Sequence, residues 1–178
     1  MGSRRSDIAA KLASKFGWPQ VKFSDFIKDR IKSDEENPDD RVLQQQYGQR
    51  LVQHDLENFV DSVLEMKPEW KINGHNLIVD GLRHVEVLLT LRQRVMNLGS
   101  KLVYIHVRPD PLKRESAAHD RGIAEQDIYR YDRALSEAQM NRILPAYADV
   151  EVDGALGISL NMKDIEQRLH DLGVPVAA

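Results

Sequence analysis

The 178-residue chain contains no cysteine. That excludes disulfides, thiol nucleophiles and thiolate metal sites, and it fits a reducing compartment. No apolar run approaches the roughly 20 residues that cross a bilayer, and the amino terminus lacks a signal-peptide core. The expected location is therefore cytoplasmic, with no membrane partner. The scattered histidines show no HxxxH or HExxH spacing, so a zinc site has no support. Aromatic residues make up only 6%, and Phe16, Phe23 and Tyr104 read as core rather than ligand stackers. A net charge of -3 and a pI near 6.1 give no reason to expect a nucleic-acid scaffold.

What is present is an ordinary globular composition, 42% hydrophobic and 30% charged, long enough for one domain with a substantial core. Ile8, Leu12 and Phe16 repeat every four residues, with Ala9 and Ala13 beside them; Ser3 or Ser6 caps this helix and Gly17 stops it. Gln20 to Phe23 reads as a short strand, and Ser24 as the cap of a helix carrying Phe26, Ile27 and Ile31. Pro38 is ready to start the helix of Leu43, Tyr47 and Leu51. Leu56 to Leu64 mark the next, closed by Pro68. After the Asn73-Gly74 turn comes the strand Asn76 to Asp80, then a helix from Val85 to Gly99. Leu102 to Val107 is nearly all apolar, as expected of a strand covered on both faces. Asp127 to Met140 reads as helix and Val150 to Val152 as the last strand. Asn161 caps the final helix, which Gly173 ends. Strands alternating with helices predict a three-layer α/β/α fold with a parallel sheet over residues 1–178. Residues 24–67 form a helical flap over the sheet's carboxyl edge, and 108–140 a second, lid-like region.

The chain is organised around Leu77-Ile78-Val79-Asp80-Gly81-Leu82-Arg83. An apolar strand ends on a carboxylate, turns at a glycine and delivers an arginine as an amphipathic pattern begins. Polar residues at the carboxyl end of a parallel strand face the crevice where ligands bind. Asp80 and Arg83 are thus placed to hold opposite charges, such as a hydrated metal ion and a phosphate. The plainer role of Asp80 is to cap the next helix.

In their order and spacing the segments resemble the nucleoside-monophosphate-kinase branch of the P-loop kinases, above all its small dephospho-CoA-kinase-like and deoxynucleotide-kinase-like members. Gly2-Ser3-Arg4-Arg5-Ser6-Asp7-Ile8-Ala9 stands where such proteins carry G-S-G-K-S-T and the first helix. Phe23-Ser24-Asp25-Phe26-Ile27-Lys28 resembles their acceptor segment, and Val79 to Arg83 their V-D-G-x-R. Arg108 to Gly122 is similar to the arginine-bearing lid, and Ala146 to Gly154 to the A-D-x-x-I-x-N-x-G approach to the last helix. The resemblance implies ATP-dependent transfer of phosphate to a nucleoside monophosphate or similar small acceptor, with Mg2+. Gly2, Ser3, Arg4, Arg5, Ser6 and Asp7 would hold ATP, with Arg5 at the lysine position of the loop. Ser6 and Asp80 would serve the metal. Asp25, Lys28, Tyr47 and Gln44 would line the acceptor pocket, and Arg83 would bind the acceptor phosphate. Arg114 and Arg121 would be the lid arginines, with Arg130 and Arg133 next. For any one of these four, a solvated surface role is the plainer reading.

The loop is degenerate: Arg4 replaces a glycine whose lack of side chain lets the backbone curl around phosphate. The alternative function is a catalytically inactive binding or regulatory relative. The chain also begins inside the loop, so the strand that opens this family is lacking. In the family's order it lies between the strand ending at Asp80 and the one at Leu102 to Val107. Its absence predicts unpaired backbone groups on both neighbours. Either those strands close onto each other, something else fills the slot, or the chain is a truncated form.

Overall fold

The computed structural model describes residues 4–73, 76–109 and 139–176. In chain order the elements are α1 (Arg5–Phe16), β1 (Gln20–Lys22), α2 (Phe23–Ser33), α3 (Arg41–His54), α4 (Leu56–Glu65), α5 (Glu69–Asn73), β2 (Ile78–Asp80), α6 (Val85–Asn97) and β3 (Ile105–Arg108). After these come a π-helical turn (Gln139–Ile143), a 3-10 turn (Leu144–Tyr147), β4 (Val150–Asp153) and α7 (Ile158–Asp171).

The expected three-layer fold on one parallel sheet is not what forms. Most described residues are helical, and the strands make two separate two-stranded parallel sheets, β1-β2 and β3-β4. In the first, Val21 lies opposite Val79 and Lys22 opposite Asp80. In the second, Ile105 lies opposite Val150 and Arg108 opposite Asp153. The physical reason is that β2 and β3 do not pair with each other: each bonds one neighbour and leaves its other edge without a strand among the described residues. A sheet of two short strands is too small to form a layer, so helices carry the core.

Each sheet has its own apolar cluster. Val21 and Phe23 pack with Phe59, Val60, Val63 and Leu64 of α4 and with Val87 and Leu91 of α6. Val107, Val150 and Val152 pack with Ile8 and Leu12 of α1 and with Met162, Ile165 and Leu169 of α7. Full burial of such side chains contributes about 1.5–3 kcal/mol each before ordering costs. A third, smaller cluster joins Leu88 to Met140 and Leu144.

Several boundaries differ from the sequence reading. α2 starts at Phe23, with Lys22 and not Ser24 at the cap position and no side-chain cap bond. Asp40, rather than a proline-led first turn at Pro38, starts α3: its carboxylate accepts from the amides of Val42 and Leu43 at 2.8 and 3.2 Å. Pro68 is followed at once by the short helix α5. Asn161 sits inside α7, whose cap position is Gly157. Gly17 and Gly173 adopt the left-handed conformation that ends a helix, as expected. The Asn73-Gly74 turn and the helix at Asp127 to Met140 lie wholly or largely outside the described residues.

Candidate functional site

A cavity of about 660 Å³ separates the two sheets. Its walls are the β2 run from Asn76 to Arg83, the β3 run from Ser100 to Val107, residues Arg5 to Leu12 of α1 and Leu88, Leu91 and Val95 of α6. The strand ends orient it. Asn76 Nδ2 donates to the Pro175 carbonyl at 3.4 Å and Lys101 Nζ to the Leu172 carbonyl at 3.1 Å. The starts of both runs therefore abut one segment. Asp80, Gly81, Arg83, His106, Arg5 and Ser6 line the opposite, carboxyl end.

The described lining of the cavity holds more basic than acidic residues, although Lys71 is paired with Glu65. Arg5, Arg41, Lys71, Arg83 and Lys101 are the basic residues among its described lining, and Asp80 is the one acidic residue. Asp80 is 8% exposed, and Gln20 Nε2 reaches its Oδ2 at 3.5 Å. Gly81 follows with φ of 93°, a conformation that turns the chain away from the strand and suits glycine. A Cβ built on Gly81 would lie 3.7–3.9 Å from Phe23 and Ser24, so the start of α2 abuts the Asp80-Gly81 turn.

His106 and Tyr104, on the β3 wall, were missed in the sequence as site residues because both read as strand core. Tyr104 Oη and His106 Nδ1 are 3.1 Å apart. Burial, which disfavours the charged form of either group, pushes the Tyr104 hydroxyl up to about 12, against the opposing pull of Arg5. Burial likewise holds the His106 imidazole below its ordinary range, with Glu151 raising it and Arg5 and Arg108 lowering it. Both rings are thus held neutral and polar beside the cationic rim.

Of the residues singled out in the sequence, Arg5, Ser6, Asp80 and Arg83 meet on this cavity. Arg5 also donates to Sδ of Met140. Arg4 occupies the cap position of α1 without a side-chain cap bond, and its Nη1 donates to the Leu156 carbonyl at 3.3 Å. Asp7 lies in the exposed first turn of the same helix. Asp25, Lys28, Gln44 and Tyr47 are not among the lining residues. Asp25 is in the first turn of α2, Lys28 pairs with Asp39 at 2.6 Å, and Gln44 Nε2 donates to the Pro38 carbonyl at 2.7 Å. The Tyr47 hydroxyl donates to Asp34, with Arg50 4.7 Å above its ring. Gly2, Ser3, Arg114, Arg121, Arg130 and Arg133 lie outside the described residues, as does most of the 108–140 lid region.

Among the described residues no group of three or more His, Asp or Glu side chains converges as for a metal cage. Magnesium does not need one, since it is commonly held by one or two carboxylates, phosphates and waters. The Asp80 carboxylate is an oxygen donor of that kind, and Ser6 lines the same cavity. Among the described residues no helix is long and apolar enough to cross a membrane. Comparison with protein-family models finds none that matches the chain, and comparison with curated proteins finds no significant match.

Proposed function

We propose that the protein is a nucleotide-binding phosphotransferase that moves a phosphate from ATP to a nucleoside monophosphate or a similar small acceptor, with magnesium. The observation that carries this reading is the carboxyl rim of the cavity, where Arg5 and Arg83 stand with Asp80, the single carboxylate among the described lining. Phosphoryl transfer asks little covalent chemistry of a protein; it asks for cations around the phosphates, a held metal and exclusion of water. Arg5 and Arg83 at the carboxyl rim supply the first. Asp80, backed by Gln20, and Ser6 would hold a hydrated magnesium ion, which neutralises charge on the phosphates when bound. The walls from α1 and α6 limit water. Asp25, Lys28 and Tyr47 lie off the described lining, so the acceptor phosphate falls to Arg83 in this reading.

The test is calorimetric titration of the protein with ATP, with and without magnesium, and with nucleoside monophosphates, followed by a coupled assay for ADP release. Magnesium-dependent ATP binding is expected. Arg83→Ala should weaken monophosphate binding about 10- to 100-fold, the equivalent of one charge-assisted hydrogen bond of about 1.5–3 kcal/mol. Failure of ATP and of every monophosphate to bind overturns the proposal. A second reading, a binding or regulatory protein without turnover, is supported by the contacts of Arg4 with Leu156 and of Arg5 with Met140, which commit both loop cations to protein groups. It is distinguished by ligand binding without ADP release.

A further inference from the structure

We infer that Gln139 and Met140 form a latch that positions the two rim arginines, Met140 through Arg5 itself and Gln139 through the chain that carries Arg83. The inference rests on the phosphotransferase reading for what these arginines bind, whereas the contacts that carry it involve no ligand. Gln139 is 7% exposed and Met140 3% exposed, side by side at the start of the π-helical turn. Gln139 Oε1 accepts the Val85 amide at 2.9 Å, and its Nε2 donates to Glu86 Oε1 at 3.3 Å. The Val85 amide belongs to the first turn of α6, where no earlier helical carbonyl can take it. His84, at the cap position, makes no side-chain cap bond. The side chain that closes this helix end comes instead from 54 residues further along the chain. Arg83 lies two residues before that amide. On its other side, Leu82 packs against the cluster of Leu88, Met140 and Leu144. One turn thus holds the chain on both flanks of Arg83.

Arg5 meets the same turn directly, donating to Met140 Sδ. A thioether is a weak, uncharged acceptor, so this contact orients the guanidinium without cancelling its charge. Leu88 and Leu144, 1% and 0% exposed, pack against Met140 and fix the sulfur in place. Two adjacent residues therefore connect α1 to the start of α6, the elements that bring Arg5 and Arg83 to one rim. A turn that served only to cover Leu88 would need neither the amide of Gln139 nor the sulfur of Met140, since leucine covers apolar surface as well. Positioning does need them. Phosphoryl transfer depends on where the cations stand, and small displacements from remote changes are costly.

Calorimetry on the full chain tests the two arms separately. Gln139→Leu removes the acceptor for Val85; it should weaken nucleoside-monophosphate binding about 3- to 10-fold and leave ATP affinity within about 2-fold. Gln139→Glu keeps an acceptor oxygen at that place and should recover most of the loss. Met140→Leu should do the reverse, weakening magnesium-ATP binding about 3- to 10-fold and sparing the monophosphate. Should Gln139→Leu fail to fold, Gln139→Asn, whose amide is one methylene too short for Val85, takes its place. A mere structural brace would lower the urea midpoint and leave both affinities at the parent values, and that result overturns the inference. Tighter ATP binding by Met140→Leu, or equal loss of both ligands in either variant, also overturns it. If the parent binds neither ligand, the phosphotransferase reading falls and the latch is decided without one. Heteronuclear NMR of the arginine Nε–H groups should then show the Arg83 signal displaced by Gln139→Leu and the Arg5 signal by Met140→Leu, and unmoved signals overturn the latch.

Discussion

Asn161, fully buried in the first turns of α7, donates its Nδ2–H to the carbonyl of Asp153 at 2.8 Å. This bond ties the helix to the end of β4, where the Asp153 carboxylate also accepts the Ala155 amide at 2.9 Å. Asn161→Ala leaves that carbonyl, and a void, in a tightly packed place. A loss of about 1–3 kcal/mol is expected, the cost of stranding a buried polar group. Urea unfolding of the variant reads it directly. An unchanged midpoint would mean that water or another donor replaces the amide.

The same residue marks how much was legible in the sequence. Asn161 was read as a helix cap because asparagine favours that position. Here the helix starts at Ile158 and the side chain serves a tertiary bond that no local pattern encodes. Helix faces were legible where apolar spacing is strong, as at Ile8 and Leu12 or Ile165 and Leu169. Strands were found within a residue or two, except that β3 starts at Ile105 and not Leu102. The single sheet did not form, because strand periodicity says nothing about which edges meet. At the site, the Asp-Gly-x-Arg spacing pointed to Asp80 and Arg83. Arg41, Lys71 and Lys101 were not legible as lining residues, since α3, α5 and the start of β3 reach one cavity only through the tertiary fold.

Acid should destabilise the protein through its buried histidines. His84 is 7% exposed and its Nδ1 lacks a partner among the described residues. Burial holds its imidazole below the ordinary range, with Glu86 raising it and Arg83 lowering it; His106 is depressed for the same leading reason. The unfolded chain takes up these protons first, near pH 6.5, so their contribution is complete above that value. It is lost as pH falls from there towards the lower folded values. The slope is at most about 1.4 kcal/mol per pH unit for each histidine. Urea midpoints between about pH 7.5 and about pH 5 should fall, and His84→Leu should flatten the acid limb. A steeper limb in that variant would contradict the assignment.

Two glycines near the end of β4 should respond differently to one added methyl. A Cβ on Gly154 would sit 2.3 Å from the Arg108 carbonyl oxygen, to which the Gly154 amide bonds at 3.0 Å. Nothing lies within 4 Å of a Cβ on Gly157. Gly154→Ala must push β3 and the following turn apart, at a cost of about 1–3 kcal/mol or more. Gly157→Ala should stay within about 0.5 kcal/mol of the parent protein. Thermal melts of both variants decide it, and equal effects would show that the close approach of Gly154 is not needed.

Asp80→Asn separates the proposed metal role of this carboxylate from a structural one. The substitution keeps the shape and leaves an acceptor oxygen for Gln20, so the melting temperature should change little. It removes the one negative charge among the described lining of a cavity that also carries Arg5 and Arg83. Metal-free ATP should then bind more tightly, because a like charge near its phosphates is gone. The gain in affinity on adding magnesium should shrink, because the ion loses its charged protein ligand. Calorimetric titrations of ATP with and without magnesium, on parent and variant, give both changes. If Asp80→Asn weakens metal-free binding and keeps the full magnesium response, Asp80 does not serve the ion, and the carboxylate acts only through its contact with Gln20.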